Sequence, residues 1–138
     1  TTDIGNPLNI HPVQKQEVGE RLAAEAMRVV YGKPNLLSTG PQFSSFKIKG
    51  NQIILDFKNT GKGLLTTVGP LKQFAIAGAD KKFYWAEAVI VGRQIIVTCK
   101  QVPKPVAVRY AWANSPVDAN LYNKDGFPAS PFRTDRWE

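Results

Sequence analysis

The chain has 138 residues, 43% of them hydrophobic, which is enough for one packed domain, or for one domain and a piece of a second. No apolar run approaches the ~18 residues that a membrane span needs, and no basic-then-apolar leader opens the chain, so no membrane partner is expected. The formal charge is +7, with one histidine, His11, and one cysteine, Cys99. That inventory excludes an internal disulfide and a zinc site of the Cys/His type, and no metal or cofactor is expected.

The opening Thr1-Thr2-Asp3-Ile4-Gly5 lacks an initiator methionine and reads as a chain cut from something longer. Residues 1–11 are expected to be a loop, broken by Gly5, Asn6 and Pro7. Pro12 suits the first position of a helix, and the spacing predicts one from Pro12 to about Tyr31. Val18, Leu22, Ala26 and Val29 share a face, and Arg21 stands four residues from both Glu17 and Glu25, within pairing distance. Gly32 would cap this helix and Pro34 would stop it. The apolar stripe is wide for a free surface and implies a partner. His11 then lies on the loop that enters the helix. The positive helix end disfavours a second positive charge there, which suits a proton acceptor. On position alone, an ordinary helix-entry residue is the favoured reading.

From Phe43 the hydrophobic period changes to two. Phe46 and Ile48 alternate with lysines, Gly50-Asn51 turns the chain, and Ile53, Leu55 and Phe57 share a side. Further strands are predicted over 64–68, 72–77, 83–91, 94–99 and 106–112, punctuated by Gly61, Gly63, Gly69-Pro70, the 78–82 loop and Gly92-Arg93. Val106, Val108, Tyr110 and Trp112 are expected on one face, and Cys99 as a small buried hydrophobe. Residues 113–138 show no period, yet hold Leu121, Tyr122, Phe127 and Phe132, too much apolar surface for a loose tail. The fold class is therefore mainly β: one N-terminal helix followed by an antiparallel β-sandwich or jelly-roll-like domain. Residues 1–33 carry four basic and four acidic groups, so the whole positive excess lies in 34–138, which supports a boundary near residue 33. The lysines Lys47, Lys49, Lys58 and Lys72 are scattered singly along strands, a solubility pattern rather than a nucleic-acid stripe.

Two stretches carry a family likeness. One is Asp3-Ile4-Gly5-Asn6-Pro7-Leu8-Asn9-Ile10-His11-Pro12, with Lys15-Gln16 and Gly19-Glu20-Arg21-Leu22-Ala23 behind it. The other is Arg109-Tyr110-Ala111-Trp112, then Ala119-Asn120-Leu121-Tyr122-Asn123, then Phe127-Pro128-Ala129-Ser130-Pro131-Phe132-Arg133-Thr134-Asp135. In this order they resemble the C-terminal part of the sialate O-acetylesterases, a branch of the SGNH-type serine hydrolases; acetylxylan-type esterases share much of the pattern.

The resemblance implies that 1–33 closes an SGNH-type α/β catalytic domain and that 34–138 is an accessory β-domain. It implies that His11 is the catalytic base, acting on a serine outside this chain, and that this chain alone is inactive. Ser38, Ser44, Ser45, Ser115 and Ser130 lack a nucleophile setting and read as turn or surface residues. It further implies an upstream catalytic domain and an O-acetylated sugar as partners, and a location outside the cytoplasm, secreted or periplasmic. Relatives often place an acid within three residues before the histidine; here those positions hold Leu8, Asn9 and Ile10. Asn9, or a backbone carbonyl, is the candidate to orient His11. Asp3 could orient it only if the loop folds back, and otherwise fixes the loop. In the tail, Asn120, Tyr122 and Asn123 are candidates to line a sugar site or to tie the tail down, and Arg133 with Asp135 is a candidate ion pair. The rival readings are a carbohydrate-binding β-sandwich using Trp85, Trp112 or Tyr122, and a purely structural module.

Overall fold

A computed structural model describes residues 3–9, 11 and 13–137. One helix, α1 (Lys15–Val29), precedes ten strands: β1 (Gln42–Lys49), β2 (Gln52–Lys58), β3 (Leu64–Thr66), β4 (Phe74–Ala77), β5 (Phe83–Trp85), β6 (Glu87–Val91), β7 (Gln94–Thr98), β8 (Ala107–Tyr110), β9 (Leu121–Asn123) and β10 (Phe132–Arg133). The chain is mainly β, a helix followed by an antiparallel sandwich, as the hydrophobic periods require. One sheet has the order β1-β2-β7-β6 and the other β10-β8-β4-β5; β3 and β9 form a short separate ribbon.

The core lies between the two sheets. Ile53, Leu55, Ile95 and Val97 face it from the first, and Phe74, Ile76, Val108 and Tyr110 from the second, all at most 1% exposed. A bulge between Phe43 and Ser45 shifts the β1 register, so that Phe46 pairs with Leu55 and Ile48 with Ile53, although on this edge strand both Phe46 and Ile48 stay exposed. Phe132, on the last strand, stacks on Phe43 at 4.8 Å and approaches Tyr110 at 5.9 Å. Phe74 lies 4.7 Å from Tyr110. One aromatic cluster thus joins both sheets and pins the chain's end.

The structure corrects several sequence expectations. The helix starts at Lys15, after Gln14, which makes no side-chain cap; Pro12 lies outside the described residues. The stretch 83–91 is two strands. β5 pairs with β4, while β6 pairs with β7 in the other sheet. Between them Ala86 donates its N–H to the Phe74 carbonyl at 3.0 Å. Tyr84, Ala86, Ala88 and Ile90 all pack on the core, so the period of two continues across the switch of sheets and hides it. The expected 106–112 face holds only for Val108 and Tyr110. Val106 precedes the strand, and Ala111, at φ 48°, ends it and turns Trp112 outward to 51% exposure. Cys99 is half-buried rather than buried.

The tail is more regular than its sequence suggests. β9 pairs with β3 and β10 with β8, and buried Tyr110 accepts the Leu121 N–H at 3.1 Å. Burial raises the Tyr110 phenol to about 12. Asp135 pairs with Arg109, not Arg133: two hydrogen bonds, 2.8 and 2.7 Å, hold its carboxylate. The Arg109 fork meets both oxygens of that carboxylate, and the Arg133 guanidinium instead sits 5.2 Å from the Trp112 ring.

No residue of α1 is buried, and Leu22 and Val29 are 67% and 62% exposed. Polar contacts tie the helix to the rest. Glu25 and Arg28 both hydrogen-bond the hydroxyl of Ser38, which is buried rather than a surface residue. Arg21 reaches neither Glu17 nor Glu25; it bonds Asp3, a better partner because both carboxylate oxygens meet the guanidinium fork.

Two substitutions test this packing. A Cβ on Gly40 would lie 1.8 Å from the Pro128 carbonyl oxygen, so Gly40→Ala must push the tail off the 39–41 segment and lower stability by about 1–3 kcal/mol or more in urea unfolding. Phe132→Ala empties the centre of the aromatic cluster and is expected to cost about 3–5 kcal/mol in the same measurement.

Candidate functional site

The histidine loop is shaped by its own asparagines. The Asn6 side-chain oxygen accepts the Leu8 N–H at 2.9 Å, and the Asn6 carbonyl accepts the Asn9 N–H at 3.1 Å. The Asn9 side-chain oxygen then accepts the His11 backbone N–H at 2.9 Å. These are Asx-type turns, in which a short polar side chain replaces a backbone partner. Asn9 therefore acts on the backbone of His11, and its oxygen meets the peptide N–H rather than the ring. His11 itself is exposed. It stands before the first helical turn that begins at Lys15, so the helix dipole acts on it less than a Pro12 start implied.

Asp3 anchors the start of this loop. Its oxygens accept hydrogen bonds from both terminal nitrogens of Arg21, at 2.8 and 2.7 Å, and from the Tyr122 hydroxyl at 2.7 Å. The carboxylate is 4% exposed. Burial alone would raise its pKa, but the hydrogen bonds from Arg21 and Tyr122 and the guanidinium charge outweigh it and hold it below the usual carboxylate range. Burial, and then the bond to the Asp3 anion, push the Tyr122 phenol upward, so it stays a protonated donor. Three distant segments converge here: the histidine loop, the helix, and β9 of the ribbon. The sequence marks Asp3 and Tyr122 as candidates, but no local spacing links them to each other or to Arg21.

The other two tail candidates hold backbone. The Asn120 amide donates to Thr66 Oγ1 and to the Val68 and Pro70 carbonyls at 2.9–3.0 Å, while its oxygen accepts the Lys72 N–H at 2.9 Å. Asn123, fully buried, donates to the Thr39 and Asn59 carbonyls and accepts from the Phe127 N–H. Both amides are engaged inside the fold, clamping the 66–72 loop and the 39–41 segment to the ribbon.

Between the histidine loop and the 111–117 segment runs an open groove of about 790 Å³, lined by Asp3, Asn6 and Pro7 on one side and Trp112, Asn114 and Pro131 among those facing them. Its position depends on the left-handed turn at Ala111, which sequence periodicity does not reveal. Among the described residues no group of three or more His, Cys, Asp or Glu side chains is gathered as a metal site, and no helix is long and apolar enough to cross a membrane.

The chain superposes on part of the crystal structure of a novel carbohydrate acetylesterase from Xanthomonas citri, with a TM-score of 0.93 and 46% sequence identity. The match covers 98% of this chain and 31% of that one. Both the histidine loop with its helix and the sandwich therefore lie within the matched length. No protein-family model and no curated protein matches the chain.

The Asp3 clamp gives a pH-dependent expectation. Because the folded pKa is depressed, its stabilisation is complete above the unfolded carboxylate pKa near ~4 and is lost as pH falls through the lower folded value. Asp3→Asn leaves the Arg21 charge unpaired and is expected to lower stability by about 3 kcal/mol at neutral pH. The gap between wild type and Asp3→Asn should close as pH drops below ~4, measured by thermal melts across pH.

Proposed function

We propose that this chain is one part of a carbohydrate O-acetylesterase and that His11 is its general base. The observation that carries this reading is the 46% identity to a segment of the Xanthomonas carbohydrate acetylesterase, sustained over 98% of the chain. The chain spans only 31% of that enzyme, so the serine nucleophile and the oxyanion donors belong to other parts of the whole protein. Residues 1–33 are the closing segment of its SGNH-type catalytic domain, and 34–138 its accessory sandwich. The exposed apolar side chains of α1, Leu22 and Val29, together with Val30 and Tyr31 beyond its end, support this division. Covering each gains about 1.5–3 kcal/mol, and a catalytic domain is the natural cover.

In the proposed reaction His11 accepts the serine proton as the serine oxygen attacks the acetyl carbonyl. The tetrahedral intermediate collapses as His11 returns the proton to the departing sugar hydroxyl. Water, activated by the same imidazole, then attacks the acetyl-enzyme and releases acetate. Beyond His11 itself, the chain's contribution is positional. Asn9 holds the His11 backbone, and Asp3, locked by Arg21 and Tyr122, holds the loop that carries both. The sialate O-acetylesterase pattern of the histidine loop and tail makes an acetylated sialic acid one candidate substrate, and an acetylated xylan chain the other.

In the full-length protein, His11→Ala is expected to lower kcat on an aryl acetate by ~10³-fold or more with the fold intact. The 138-residue chain alone should show no hydrolysis above background. Wild-type turnover by His11→Ala, or enzyme-like turnover by the chain alone, would overturn the assignment.

A further inference from the structure

Outside the histidine loop, the outer face of the second sheet carries the chain's least expected surface. Trp85 is 71% exposed and Trp112 51% exposed. Across this face Trp85 pairs with Ala75, and Ala75 pairs with Arg109, so Trp85 and Arg109 stand about 10 Å apart with a methyl group between them. The result is a hollow of about 480 Å³, with Gln73 and Gln101 at its edge. Among the described residues Arg109 is the only charged side chain lining it, and Asp135 already neutralises that charge. The Arg109 guanidinium also lies 4.1 Å over the Phe83 ring, which fixes it in place.

This hollow is the middle of three. It shares Trp112 and Ala113 with the groove along the histidine loop. It shares Trp85 and Gln101 with a third hollow, of about 560 Å³, lined also by Asn51, Thr98 and the oppositely charged Glu87 and Lys100. The two exposed tryptophans therefore stand at the two junctions of one continuous track. Arg133 backs Trp112 from 5.2 Å and steadies its ring.

We propose that this track binds an extended, uncharged glycan chain, with sugar rings lying against Trp112 and Trp85. The chemistry fits that ligand in particular. The apolar faces of pyranose rings cover exposed aromatic rings, while the rim amides of Gln73 and Gln101 donate to and accept from hydroxyls. Among the described residues, the middle hollow offers a charged ligand no unpaired charge. The length of the track calls for an oligosaccharide rather than a single sugar. Delivery of an acetyl group to His11 from a chain held this way rests on the esterase reading above; the binding itself does not.

Titration calorimetry of the full-length protein with cellohexaose and xylohexaose tests the binding directly, since neither probe carries an acetyl ester. We expect at least one to bind, and Trp85→Ala to weaken it about tenfold or more. Ala75→Leu, which fills the floor of the hollow, is expected to weaken it similarly, and thermal melts check that both variants are folded. No binding of either hexasaccharide at millimolar concentration, or unchanged affinity in folded Trp85→Ala, overturns the proposal. Inactivity of His11 in the esterase assay would leave this result standing.

Discussion

The Asp3 carboxylate is the constraint on which the candidate site depends. Three hydrogen bonds, two from Arg21 and one from Tyr122, meet at a group that is almost wholly withdrawn from water. A buried carboxylate is tolerable only when its lone pairs are met by donors and its charge by a cation, and both conditions hold here. The consequence is geometric. The helix rests on the sandwich with no buried side chain of its own, so this clamp and the Glu25–Arg28–Ser38 contact set where it lies. The loop that carries His11 starts at one end of the clamp and runs into the helix that supplies the other.

The sandwich serves this arrangement by presenting Tyr122 rigidly. Tyr122 sits on β9 between Leu121, whose N–H is held by Tyr110 in the core, and Asn123, whose amide grips two other segments. Tyr110 is in turn stacked with Phe74 and Phe132. A continuous series of contacts therefore leads from the aromatic core to the histidine loop. The sandwich also shapes one wall of the groove along the 3–7 segment, through Trp112 and Asn114.

Much of the strand pattern was legible. Ile53, Leu55 and Phe57 alternate as a half-buried strand must, and the turns at Gly50 and Gly92 fall where positive φ is needed. The failures have particular causes. The 83–91 run keeps one apolar face throughout, so nothing local shows that its hydrogen-bond partners change sheets at Ala86. The tail lacked any period because its strands are two or three residues long and its buried groups are partly polar: Asn120, Asn123 and Asp135. The Glu17–Arg21 and Arg21–Glu25 pairings looked natural on a helix surface, where such pairs are weak, and the two-toothed Asp3 contact displaced them.

By itself the sequence determined the periods: an amphipathic helix, then alternating strands separated by Gly and Pro, hence a helix followed by an antiparallel sandwich. It also singled out His11, Asp3 and Tyr122 as residues whose chemistry exceeds their surroundings. Only the tertiary structure decided which of these meet. Asp3 and Tyr122 are 119 positions apart, and their contact follows from how the last third of the chain folds back onto the first. The same holds for Trp112 and Trp85, which line one hollow because Ala111 turns left-handed and β4 places the small Ala75 between Trp85 and Arg109. Periodicity reports which face of an element is apolar. Long-range packing decides which elements bring their polar groups together.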